Sequence, residues 1–289
     1  MATRLDVNKT YKLYVGGAFP RSESGRTYEI ADTKGRFLAN AAQASRKDVR
    51  DAVTAARKAQ PGWAAATAYN RGQVLYRVAE IMEGRREQFT GEVAVSEDLS
   101  SRNAAAVVDA AIDRWVWYAG WSDKFAQVAG AANPVAGPYF NLSVPEPTGV
   151  VGALAPQSSS LLGLIEVLAP IIVSGNSVVA VTSQDRPLPA ITLAEALATS
   201  DLPGGVVNLL TGQTDELAPI LAGHLDVDAI DLTGMAGRDT TDLEVLAAEN
   251  LKRVLATPDT EPDVTDPPAG PRRILAACET KTVWHPKGR

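Results

Sequence analysis

Between residues 146 and 257 the chain repeats one pattern five times: a short apolar run, then a helical or turn segment. The apolar runs fall at 150–155, 178–181, 206–210, 227–232 and 254–256. Runs this short and this continuously apolar belong to strands buried on both faces, since a face open to water would leave polar residues at alternate positions. Strands separated by crossovers of helix length pair in parallel. The stretch therefore predicts an α/β fold built on an open, Rossmann-like parallel sheet of about five strands, with helices on both faces. Such sheets receive ligands outside the carboxyl ends of their strands. The residues at those ends decide what the sheet is for.

Bulk properties narrow the classes. A net charge of −6 over 289 residues argues against nucleic acid or an anionic membrane as the main partner. No apolar run approaches the ~18 residues of a membrane span, and the amino terminus lacks the apolar core of a signal peptide. Cys278 is the sole cysteine, so no internal disulfide can form, which fits a reducing cytoplasm. Two histidines and one cysteine are too few for a Cys/His zinc site, and no metal is expected.

Ahead of the repeat, residues 11–40 read as a β-rich lead-in: a strand at 12–15, the Gly16–Gly17 turn, then a polar loop. Ser45 and Asp48 have capping-box spacing before a helix whose apolar positions are Val49, Ala52, Val53 and Ala56. Pro61–Gly62 is expected to stop that helix. Two more helices are expected at about 70–89 and 103–124, the second carrying Trp115, Trp117, Tyr118 and Trp121 as packing core. PYFNLSVPEP, residues 138–147, reads as an exposed ribbon in which Pro145 and Pro147 limit the sheet positions available. The first crossover, 158–176, is apolar nearly all round and should be a buried helix, kinked or shortened by Pro170, while Pro187 suits the first turn of the next. Past Pro258 the chain is rich in proline and acid and reads as an extended linker to a β-prone terminal segment at Thr280–Trp284.

KLYVGG, RWVWYAGWSDK, EPTGVVGALAP, SGNSVVAV, DLPGGVVNLLTG, HLDVDAIDLTG and NLKRV, in this order and spacing, make the chain resemble the aldehyde dehydrogenase superfamily over nearly everything up to residue 256. The terminal ETKTVWHP is similar to the family's last strand. The resemblance implies that this strand and the ribbon form a small β oligomerisation arm, through Tyr139, Leu142, Val144, Thr282, Val283 and Trp284. It also implies a division into an N-terminal part of the cofactor-type domain (1–137), the ribbon (138–149), a Rossmann-like βαβ unit (150–257), a linker (258–273) and an oligomerisation strand (274–289). The family's catalytic domain, with its nucleophilic cysteine, has no counterpart between linker and strand.

The departures from the family pattern fall at the strand ends. Ser158 stands where the family has an oxyanion-holding asparagine, and loss of one such donor costs about 10²–10³ in rate. Val181 and Gln184 stand where a lysine and a glutamate hold the cofactor's ribose, and valine has no hydrogen bond to give. In the phosphate-facing turn Thr233 and Gly234 are kept, Met235 replaces a serine, and Asp239 puts a negative charge at a glycine position. Thr257 replaces the general-base glutamate and has no pKa suited to that role. Pro156, Thr233 and Gly234 are thus the remnant of a dinucleotide site, and the departures argue against NAD(P) as a cofactor and against catalysis by this chain. Cys278 among alanines reads as packing rather than a replacement nucleophile for His285 to activate. His224, Asp226 and Asp228 read as structural residues at the start of the fourth strand. The expectation is a pseudoenzyme subunit that assembles as a hetero-oligomer with a full-length, NAD(P)-dependent aldehyde dehydrogenase. The alternatives are a degenerate dinucleotide-sensing module and an autonomous aldehyde oxidoreductase.

Overall fold

The structure is a computed structural model that describes residues 9–255 and 259–288. It opens on a two-stranded antiparallel hairpin, β1 (Thr27–Ala31) and β2 (Phe37–Ala42), where the sequence suggested a polar loop. Asp32 makes the turn, its carboxylate accepting the N–H groups of Lys34 (2.9 Å) and Arg36 (2.8 Å), so polar residues here terminate strands rather than replace them. The expected strand at 12–15 is reduced to isolated bridges. Tyr14 nonetheless exchanges backbone hydrogen bonds with Leu209 (3.0 and 2.8 Å), which covers one edge of the main sheet.

Four long helices follow: α1 (Arg46–Ala65), α2 (Ala68–Gly84), α3 (Arg86–Glu97) and α4 (Ser101–Trp121). Two expectations need correction here. First, α1 runs through Pro61 instead of stopping at it. Trp63, just beyond, is buried and donates its indole N–H to the Ile172 carbonyl at 2.7 Å, and this tertiary anchor outweighs the broken ladder bond. Second, the helix expected at 70–89 is two helices, broken at Arg85, whose backbone leaves the helical region. Trp115 and Tyr118 of α4 are buried in the core, with Trp117 and Trp121 packed against it.

A short helix α5 (Phe125–Ala129) leads to strands β3 (Ala131–Asn133) and β4 (Tyr139–Pro147). Then comes the repeat: β5 (Val150–Leu154), α6 (Leu162–Val173), β6 (Ser177–Val181), α7 (Leu188–Leu197), β7 (Val207–Leu210), α8 (Thr214–Ala222), β8 (Ala229–Asp231), α9 (Thr241–Ala248) and β9 (Arg253–Leu255). The five strands form one parallel sheet in the order β7-β6-β5-β8-β9. Every residue of β5, β6, β7 and β8 is buried. The helices α1, α8 and α9 cover one face; α6 covers the other beneath α2 and α4, with α3 and α7 beside them. Every residue of α6 is buried, as its all-round apolar character requires, and the helix continues one turn past Pro170.

After residue 259 the chain crosses to a short helix, α10 (Arg272–Ala276), and then to β10 (Cys278–Pro286). The terminal strand pairs antiparallel with β4 from Cys278↔Pro147 to Pro286↔Tyr139, giving a three-stranded sheet in the order β10-β4-β3. β3 ends level with Ser143, so Pro145 and Pro147 lie where β4 has a neighbour on one side only.

Candidate functional site

The strand order reverses between β5 and β8, and their carboxyl ends flank the crevice where parallel sheets take ligands. Pro156, Gln157 and Ser158 follow β5; a 3-10 turn, Thr233–Met235, follows β8. The two loops meet. A Cβ on Gly234 would fall onto the carbonyl oxygens of Ala155 and Leu154, so only glycine lets the turn close against β5. Thr233 donates its backbone N–H (2.9 Å) and its hydroxyl to the buried carboxylate of Asp231. Met235 is buried in the core on the α1/α8 face, and Arg238 donates to its sulfur at 3.8 Å. Asp239 accepts the N–H (3.0 Å) and hydroxyl of Thr241, so its charge caps its own turn.

The β5 loop is cross-linked by side chains. Gln157 donates its amide to the Ala155 carbonyl (2.8 Å) and accepts the Gln184 backbone N–H (2.9 Å); Ser183 donates to the Gln157 carbonyl (2.9 Å). Gln184 accepts the Thr214 N–H at 3.2 Å, tying the loop to the start of α8. Val181 is fully buried against apolar neighbours. Val181 and Gln184 thus serve packing and loop closure.

Ser158, at the oxyanion-asparagine position, faces a carboxylate that sequence reasoning missed. Glu261 accepts the backbone N–H of Gln157 (2.6 Å), the backbone N–H of Ser158 (3.0 Å) and the Ser158 hydroxyl. Arg186 in turn donates to the Ser158 carbonyl. Glu97 of α3 holds the next part of the loop, accepting the Ser160 N–H and hydroxyl, each at 2.6 Å. Glu261 is the one glutamate in an otherwise aspartate-bearing acidic stretch, and that longer reach is the only local signal that could have marked it. Thr257 lies outside the described residues.

Beneath this edge sits a buried charge cluster. Arg114 of α4 pairs with Glu166 of α6, and Tyr118 donates to Glu166 at 2.9 Å; burial pushes the Tyr118 hydroxyl up to about 12. Arg273 of α10 lies 3.6 Å from Asp231 and 4.0 Å from Glu166.

Cys278 is at the opposite edge of the sheet. It follows Ala277, whose carbonyl accepts the side-chain amide of Asn176 (2.7 Å) at the amino end of β6. Its thiol is buried, donates to the Ile274 carbonyl (3.3 Å) and is pushed up to about 11 by desolvation. His285 stands seven positions further along the same strand, roughly 23 Å away at strand rise, and activates nothing at the thiol. His224 accepts the Asp226 N–H at 3.2 Å, and burial lowers its pKa. Asp228 pairs with Arg57 and accepts the Val150 N–H, both at 2.7 Å.

In the ribbon, register separates the six residues singled out as an assembly surface. Leu142, Val144 and Val283 share one face with Phe140; Tyr139, Thr282 and Trp284 share the other, where Tyr139 and Trp284 meet edge to face at 5.8 Å.

Comparison with known proteins agrees with this geometry. Residues 19–257 match the aldehyde dehydrogenase family model. Mitochondrial benzaldehyde dehydrogenase of Antirrhinum majus is 31% identical over 247 residues, which are 84% of this chain and 46% of that protein. Cytosolic 10-formyltetrahydrofolate dehydrogenase of Mus musculus is 33% identical over 263 residues, 87% of this chain and 28% of that protein. The NAD+ complex of an aldehyde dehydrogenase from Bacillus cereus superposes with a TM-score of 0.80 at 26% identity, covering 85% of this chain and 50% of that one. An NAD-dependent aldehyde dehydrogenase from Sinorhizobium meliloti gives 0.77 at 27% identity, covering 86% and 50%. The chain spans half or less of the length of these relatives, and in sequence and fold alike it belongs to the aldehyde dehydrogenase family.

Proposed function

We propose that this chain is a non-catalytic, cytoplasmic subunit that assembles with a full-length, NAD(P)-dependent aldehyde dehydrogenase. The observation that carries the reading is the β10-β4-β3 ribbon. It leaves Tyr139 (40%), Phe140 (47%), Val283 (57%) and Trp284 (58%) exposed, and among the described residues β10 is the edge strand of its sheet. An edge of this kind pairs with a strand of another chain, main-chain hydrogen bonds giving affinity and the aromatic side chains giving specificity. The strand-end residues support the same reading from the other side. Ser158 is engaged by Glu261, Val181 is packed away, Gln184 braces α8, and Cys278 lies at the wrong edge as a protonated thiol.

The test is co-expression with a full-length paralogue, reading mass and solubility of the purified species. A hetero-oligomer containing both chains is expected. A soluble monomer that ignores the paralogue overturns the proposal.

A second reading, a dinucleotide-binding module without chemistry, draws on the amides of Gln157 and Ser158, which already hold one carboxylate. Calorimetric titration with NAD and NADP separates the two, since the assembly reading expects no heat at millimolar dinucleotide.

A further inference from the structure

Residues 259–270 contain no helix or strand, yet they are pinned at several points between Asp259 and Asp266. At the start, the Asp259 carbonyl lies against Gly237, in the turn after β8. Two residues on, Glu261 reaches the loop after β5. Val264 then packs against the main core, and Arg114 donates to the carbonyls of Val264 (3.2 Å) and Asp266 (3.1 Å). Arg114 is itself buried and paired with Glu166, so its position is fixed from behind. The segment thus runs from the β8 side of the switch-point crevice to the β5 side and ends on α4. It bridges the crevice in which a parallel sheet takes its ligand.

Its chemistry matches that position. The segment carries Asp259, Glu261, Asp263 and Asp266 and no basic residue. Asp263 caps its own turn through the Thr265 N–H (2.9 Å) and hydroxyl. Glu261 alone spans to the sheet, where two backbone N–H groups and a hydroxyl converge on one carboxylate. Three donors aimed at one anionic group, in the loop between β5 and α6, form a receptor for an oxyanion, and here the chain supplies that oxyanion itself.

We propose that residues 259–270 are an intramolecular strap, with Glu261 as its latch, that competes for an oxyanion site on the Gln157 and Ser158 amides. A ligand bearing a phosphate-type anion enters only as the strap lifts. This goes beyond the assembly reading and stands without it, because a bare phosphate has no ribose for Val181 to refuse.

The experiment compares the wild-type chain with Glu261→Ala and Glu261→Gln, using inorganic pyrophosphate as the probe. Glu261 is part-exposed, so both variants are expected to fold, and the glutamine keeps the side-chain volume. By calorimetry, Glu261→Ala should bind pyrophosphate about tenfold tighter or more, the scale of one charge-assisted hydrogen-bond set removed from competition, with Glu261→Gln between it and wild type. By hydrogen exchange, the Gln157 and Ser158 amides should be slow in wild type, fast in Glu261→Ala, and slow again with pyrophosphate. Equal affinity in all three proteins, including no binding by any, overturns the proposal. So does unchanged exchange of these two amides in Glu261→Ala.

Discussion

The Cys278 thiol titrates near 9 when free and is pushed up to about 11 in the fold by desolvation. Only the thiolate alkylates. Iodoacetamide at pH 8 should therefore modify the folded chain slowly and the urea-unfolded chain fast, and equal rates would contradict the buried position. The same shift fixes a sign. Between about 9 and 11 the unfolded chain has released this proton and the folded chain has kept it, so stability falls as pH rises through that window. Cys278→Ala should remove part of the fall, measured as the urea midpoint at pH 8 against pH 10. At this scale the sequence was informative where a side chain only has to pack: Val181, in an apolar run, is buried among apolar neighbours. The sequence was silent wherever a group acquires a partner from far away. Nothing adjacent to Glu261 announces Ser158, 103 positions earlier, and nothing around Arg114 announces the carbonyl of Val264.

Elements were legible where signals are local. Ser45 caps α1 by accepting the N–H groups of Lys47 and Asp48, and Asp48 reciprocates to the Ser45 N–H at 2.8 Å, as the spacing indicates. Asp48 does more than the motif requires: it also accepts the hydroxyl of buried Ser22 (2.8 Å) and the Glu23 N–H (3.1 Å), joining α1 to the strand-poor lead-in. Ser45→Ala should cost about 1 kcal/mol of unfolding free energy, the usual worth of a cap. Asp48→Ala should cost roughly 2 kcal/mol, because it also takes the acceptor from the buried Ser22 hydroxyl and from two part-buried N–H groups. Comparable losses from urea denaturation would show the extra bonds to be idle. Punctuation by proline and polarity was less dependable. Pro61 sits inside α1 because Trp63 anchors the turn beyond it, and the polar stretch before α1 hides a hairpin whose faces are only partly buried. Tertiary contact decides both, and sequence windows do not see it.

Across the whole molecule, the parallel sheet was readable because four of its five strands, β5 to β8, are buried throughout and only the edge strand β9 is half-open, and burial leaves a compositional trace. The joining of ribbon and terminal strand was legible only through the family resemblance, and the register that sorts its side chains onto two faces comes from pairing across the whole intervening βαβ unit. A chain ending at Ala277 loses β10 and leaves one side of β4 open. It should keep the helical signature of the main domain by circular dichroism yet associate with rising concentration by light scattering, and a persistent monomer would contradict this. The pairing also sets a schedule for biosynthesis. β4 leaves the ribosome about 130 residues before β10 exists, and at ordinary elongation speeds of about 5–20 residues per second that gap lasts on the order of ten seconds. During it, β4 is a half-filled template within reach of neighbouring nascent chains on the same messenger. Once it emerges, β10 of the same chain closes that side of β4.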